Sequence, residues 1–185
     1  LAPVSYLPLT DTDVTALVAD VAQASSLPIC LYNNPGTTHF TMSEALIVAL
    51  AAHPHVAAVK NPAPASHAAA EDQITRLRAQ TQPGFVLGYS GDALIHTPLK
   101  AGADAWYSVI AGVLPDLAQA IWAARHDTAR LEAIHAKQAA LWALFQTHGS
   151  IRVVPHIIDL LGLGPAPLPL PLQPLSKDIV AQIDA

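Results

Sequence analysis

A lysine closes the apolar stretch Val56-Ala57-Ala58-Val59-Lys60, and the breaker Asn61-Pro62 follows at once. The chain has four lysines, and Lys100, Lys137 and Lys177 lie in helix-like or tail segments. A long, strongly hydrated cation at the end of a buried strand costs free energy unless the site uses it. Poor hydration favours a neutral amine, the better nucleophile towards a carbonyl carbon. Taken alone, Lys60 is as simply explained by a side chain that snorkels from a strand end to solvent. A second group of residues shifts that balance. Tyr32-Asn33-Asn34-Pro35-Gly36 stands one repeat earlier, and other strand ends carry Tyr6, Tyr89-Ser90-Gly91-Asp92 and Tyr107-Ser108. A phenol beside an imine-forming lysine is chemically apt, because a carbinolamine forms and collapses by proton transfer at one oxygen. The plainer account of Tyr32 is an aromatic side chain packed on a loop.

Other candidates are weaker. Nine histidines invite a metal, but His53-Pro54-His55 reads as a loop and no HExxH spacing occurs, so no metal site is expected. Ser90-Gly91-Asp92 resembles half of a phosphate site and has no second glycine loop beside it. Asp11 and Asp13 suit a helix N-terminus. Trp106, Trp122 and Trp142 suit a core or an interface. Cys30, the one cysteine, lies inside an apolar strand and is expected to be a buried, inert thiol in a reducing cytoplasm.

These residues are placed by an alternation of short apolar segments and helical ones. Strands are expected over 27–32, 56–60, 85–89 and 105–109, with the tail of another over 2–6. Helices are expected over 13–25, from Thr41 or Ser43 through 44–50, and over 68–80, 93–100 and 115–125. Continuous rather than alternating apolar strands indicate a parallel sheet buried on both faces. After Arg125 the strands stop; 127–148, 151–161 and 177–183 read as helices. The proline-rich segment 164–174 between them reads as a stiff, extended connection. The architecture expected is α/β, a (β/α)8 TIM barrel without its first strands over 1–125, followed by a helical region over 126–185. An open doubly wound sheet fits the strand count, but its Gly-rich first loop is missing.

The 185 residues are 52% hydrophobic and only 12% charged, a composition that suits surfaces covered by other protein and hence a homo-oligomer, dimer or tetramer. A net charge of -5 without a basic run argues against nucleic acid, and no apolar run reaches membrane-spanning length. A cytoplasmic location is expected. The opening Leu1-Ala2-Pro3-Val4-Ser5-Tyr6 reads as neither a signal peptide nor an initiator sequence.

Leu31-Tyr32-Asn33-Asn34-Pro35-Gly36-Thr37 resembles the Tyr-Asn-x-Pro-Gly/Ala/Ser motif of the dihydrodipicolinate synthase and N-acetylneuraminate lyase family. Val59-Lys60 stands where that family keeps its Schiff-base lysine, and Ser90-Gly91-Asp92-Ala93 is similar to its Ser-Gly-Asp-Asp turn. The run from Gly102 through Val109 resembles its Gly-Ala-x-Gly-x-Ile-Ser-Val strand, and Leu160-Leu161-Gly162-Leu163 its terminal helix. The resemblance implies a class I aldolase, lyase or synthase that joins or cleaves pyruvate, or another 2-oxo acid, and an aldehyde without a cofactor. It implies that Lys60 forms the imine and Tyr32 shuttles protons. The Tyr107 backbone and the Ser90-Gly91 turn would line the cavity.

Four departures qualify this. The family's synthases place an arginine two residues after the motif's proline, to hold the aldehyde's distal carboxylate. Here that position is Thr37, followed by Thr38, so a bidentate clamp is missing. The second relay tyrosine corresponds to Ser5, with Tyr6 beside it, and Asn61 replaces a common glutamate. The family's carboxylate-holding Gly-Thr-Thr/Ser-Gly-Glu loop is not among these residues. The expectation is therefore a member acting on a substrate other than that of dihydrodipicolinate synthase, with the 185 residues alone poorly soluble and inactive. The alternative from another class is a non-catalytic relative that binds a 2-oxo acid or sugar acid in a regulatory role.

Overall fold

The computed structural model describes residues 1–183, in two compact units, Leu1–Tyr107 and Ser108–Ala185. In the first unit, β1 (Ile29–Tyr32), β2 (Val56–Pro62), β3 (Val86–Ser90) and β4 (Ala105–Tyr107) pair in that order, all parallel. Five helices accompany them: α1 (Asp11–Ala24), α2 (Pro35–Thr38), α3 (Glu44–Ala51), α4 (His67–Gln80) and α5 (His96–Lys100). Parallel neighbours need crossovers, which the apolar-faced helices supply. β2 packs on α3 and β3 on α4, and Leu31, Val56, Val59 and Leu87 of the strands and Ile47, Ala70 and Leu77 of the helices are all fully buried. The α/β class with a parallel sheet is as expected.

Capping explains where the helices start. Thr10 caps α1, with the Asp13 carboxylate returning to the Thr10 backbone N–H, while Ser43 caps α3 and Ser66 caps α4. Several bounds differ from expectation, each for a local reason. Residues 93–100 are not one helix: a 3-10 turn over Asp92–Leu94 precedes α5. Pro98 has no N–H for the Leu94 carbonyl, which the Thr97 hydroxyl takes instead at 3.0 Å. The stretch 2–6 is not a strand. Leu1 alone makes ladder-type bonds to β1, its amine donating to the Cys30 carbonyl at 2.6 Å and its carbonyl accepting from Tyr32 at 2.9 Å.

In the second unit lie a 3-10 turn over Ile110–Gly112 and α6 (Pro115–Ala123), α7 (Thr128–Lys137), α8 (Ala139–His148), α9 (Ser150–Leu160) and α10 (Lys177–Ile183). The expected helix over 127–148 divides at Gln138, where the Trp142 indole takes the His135 carbonyl at 3.1 Å. The proline-rich segment has no regular structure, and with Pro155, His156 and Asp159 of α9 it walls a groove of about 560 Å³. Among the described residues no helix is long and apolar enough to cross a membrane.

Candidate active site

In the β1–β2 register Tyr32 faces Lys60, and the ladder continues through an Asn33 N–H donated to the Lys60 carbonyl at 2.9 Å. Paired residues share a face, and alternate residues share it with them. One face of the sheet therefore carries Cys30 and Tyr32, Ala58 and Lys60, Gly88 and Ser90, and Ala105 and Tyr107. Apart from fully covered Gly88, all of these are half-buried. The Lys60 ammonium nitrogen lies 4.5 Å from the centroid of the Tyr32 ring and 5.8 Å from that of Tyr107. Two electron-rich rings thus flank one nitrogen, both within cation–π distance.

Tyr107 reaches this position because residue 88 is glycine. A Cβ there would stand 2.4 Å from Cε2 of Tyr107 and 3.2 Å from the Val59 carbonyl oxygen, so any side chain would evict the ring. The Tyr107 hydroxyl then meets Cys30 Sγ at 3.1 Å. Cys30 is on β1 and Tyr107 on β4, three strand spacings or roughly 14 Å apart in a flat sheet, well beyond a tyrosine's reach. The sheet is accordingly curved, with the Lys60 face concave. Cys30 is not the fully buried thiol expected from its apolar strand; it is half-exposed on this face. Desolvation above all, with Cys30 adding to it, pushes the Tyr107 phenol well above its ordinary value.

The opposite face anchors the pair. Asn33 is buried; its amide donates to the Met42 carbonyl and to Asn61 Oδ1 at 2.9 Å, while its own oxygen accepts from the Met42 N–H at 3.1 Å. Asn61 is fully buried beside Tyr89, whose hydroxyl donates to Gln73 at 3.0 Å. The Asn61 Nδ2 has no hydrogen-bond partner of good geometry, although the amide lies close enough to ease the Tyr89 phenol down slightly. Burial nevertheless dominates and pushes that phenol strongly up. Tyr89 is thus a strand-end tyrosine turned away from Lys60.

The remaining expected residues are dispersed. Ser90 is on the lysine face, its hydroxyl donating to the Asn61 carbonyl at 3.4 Å, and Gly91 takes φ +100° to open the 3-10 turn. Thr37 is exposed on α2, and Tyr6 is fully solvent-accessible at 101%, remote from any shared hydrogen bond with Tyr32. Two contributors were not expected. Asn34, the free position of the tyrosine motif, donates to the Tyr32 hydroxyl at 2.9 Å. Gly88 gave one legible sign, a glycine inside an apolar strand, which marks a close approach. Among the described residues no three His, Cys, Asp or Glu side chains gather in a way that could hold a metal ion.

The sequence profile of the dihydrodipicolinate synthetase family matches residues 5–185. A 4-hydroxy-tetrahydrodipicolinate synthase of Moorella thermoacetica is 33% identical over 170 residues, covering 89% of this chain and 56% of that protein. 4-Hydroxy-tetrahydrodipicolinate synthase 1 of Streptomyces coelicolor is 28% identical over 166 residues, with 88% and 52% covered. Among solved structures, a dihydrodipicolinate synthase of Agrobacterium tumefaciens superposes with a TM-score of 0.94 at 39% identity, over 100% of this chain and 62% of its own. The chain spans about half the length of the curated relatives it matches.

Proposed function

This chain belongs to the dihydrodipicolinate synthetase family, and on that premise we propose that it serves an imine-forming, class I aldolase, lyase or synthase. The substrates are pyruvate or another 2-oxo acid and an aldehyde. The carrying observation is Lys60, aligned with Tyr32 on the concave face with its nitrogen between two aromatic rings.

In this reading the Lys60 amine attacks C2 of the 2-oxo acid, and the carbinolamine loses water to give a protonated imine. That cation withdraws electrons from C3, which gives up a proton and adds to an aldehyde carbon; cleavage runs the same steps backwards. Tyr32 moves the protons at the reacting oxygen and carbon. The ring faces of Tyr32 and Tyr107 stabilise the iminium by roughly 0.5–2 kcal/mol over the neutral carbinolamine. The Ser90-Gly91 turn and the Tyr107 backbone border the cavity, and Tyr6 and Thr37 belong to its substrate-facing rim only after rearrangement, since both are exposed.

The aldehyde is proposed to differ from that of the synthases. With Thr37 and Thr38 in place of an arginine there is no fork to take a distal carboxylate, so the partner aldehyde is uncharged at that end. The curved sheet supports a (β/α)8 barrel whose later units occupy residues 1–125, with 126–185 as a helical extension. The low charged fraction supports a homo-oligomer, tetramer or dimer. A second reading, a non-catalytic 2-oxo acid or sugar-acid binding relative, draws on the exposure of Tyr6, which leaves Tyr32 without a second relay tyrosine from this chain.

Borohydride reduction separates the two. Full-length protein incubated with pyruvate and reduced should carry a pyruvyl adduct on the peptide containing Lys60, and Lys60→Ala should lose the label while keeping its circular dichroism. Pyruvate binding without any adduct would overturn the aldolase reading in favour of the binding one.

A further inference from the structure

We propose that Asn34 is a positioning residue that presets the Tyr32 hydroxyl as a proton donor, a role resting on the reading of Lys60 as the imine-forming amine. Asn34 stands immediately before α2, where an asparagine ordinarily caps the helix by accepting a backbone N–H. It makes no such bond. Its backbone is pinned instead: the Asn34 carbonyl accepts from the Thr37 and Thr38 N–H groups at 3.0 Å each and from the Thr38 hydroxyl at 3.0 Å. Pro35 fixes the next φ, and the Asn34 side chain, which takes no part in capping, turns to Tyr32, where Nδ2 donates to Oη at 2.9 Å.

A phenol has one O–H and two acceptor lone pairs. An N–H placed on one lone pair leaves the phenol's own hydrogen free to point at substrate. When that hydrogen passes to the departing carbinolamine oxygen, the C–O bond breaks, water leaves, and the nitrogen lone pair closes the C=N bond. The phenolate left behind keeps the Asn34 hydrogen bond, which strengthens as its acceptor gains charge. The phenolate then removes a proton from C3, giving the enamine and restoring the phenol. Asn34 thus acts in both proton transfers without touching substrate.

Two measurements on the full-length protein with pyruvate test this. Borohydride trapping reports how much imine forms at equilibrium. Proton NMR in D2O reports how fast the pyruvate methyl group exchanges through the enamine. Asn34→Val and the isosteric Asn34→Asp, which cannot donate, should each slow exchange roughly tenfold to a hundredfold, the range of a hydrogen bond to a charged acceptor. Both should trap the wild-type amount of imine at equilibrium. Exchange at the wild-type rate in Asn34→Asp would overturn the proposal, since shape alone would then suffice. Loss of imine and exchange together in both variants would also overturn it, by showing a purely structural role. No adduct in the wild-type protein would instead sink the reading of Lys60.

Discussion

Asn33 and Asn34 are consecutive and serve opposite faces of the sheet, which is why the end of β1 tolerates so little change. Asn33 ties the segment around Met42 to the sheet through both halves of its amide and also holds Asn61, the residue after Lys60. Asn33→Ala would strand a buried N–H, a carbonyl and the Asn61 oxygen, and is expected to destabilise the protein by about 2–4 kcal/mol, read as a lower urea midpoint at unchanged slope. A loss below about 1 kcal/mol would show that water replaces the bonds. That Lys60 and Tyr32 meet at one rim is legible in the sequence, because both close apolar runs of neighbouring parallel strands; that β2 runs on through Asn61 and Pro62, past the expected breaker, is not. The Asn34 bond is not legible either, because Asn34 stands at the variable position of the tyrosine motif, and only the folded backbone shows where its side chain points.

At the scale of elements, β3 and β4 meet through a size exchange, glycine at 88 for tyrosine at 107. Gly88→Ala should cost about 1–3 kcal/mol by overpacking, with the ring forced off Cys30. In a Tyr107→Leu background the same substitution should cost distinctly less, because most of the clash is with the ring rather than with the Val59 carbonyl. Urea denaturation of the four proteins gives the coupling energy, and a coupling near zero would place the conflict in the backbone. Strand order and helix positions are legible from apolar runs and capping residues. The barrel expected from the sequence implies a curved sheet, but not a bend that brings Tyr107 to Cys30, since period-two patterning assigns a face without saying how far that face bends. For the same reason Cys30 reads as buried from its neighbours and is half-exposed in fact.

Across the whole molecule, titration joins the site to stability. Tyr89 and Tyr107 both hold their protons more tightly folded than unfolded, chiefly because burial penalises the phenolate. A raised folded value means the contribution is fully present below the ordinary phenol value of 10.0 and is lost as pH rises above it. Glu44 has the opposite sense: the Arg76 guanidinium, bonded to both carboxylate oxygens at 2.9 Å, lowers it, so its contribution fades as pH falls below the ordinary carboxylate range. Arg76 is exposed and Glu44 half-buried, so solvent screens the pair and its share is small. Above pH 10 the fully buried Tyr89 phenol should remove up to about 1.4 kcal/mol of stability per pH unit, and its share is separable. Tyr89→Phe gives up the hydrogen bond to Gln73, about 1 kcal/mol at neutral pH, yet should lose stability more slowly than wild type between pH 10 and 11. Urea midpoints across that range decide it: curves that converge support the burial argument. Parallel curves would mean that Tyr89 ionises as freely folded as unfolded, and that the polar layer behind Lys60 is wetter than its packing implies.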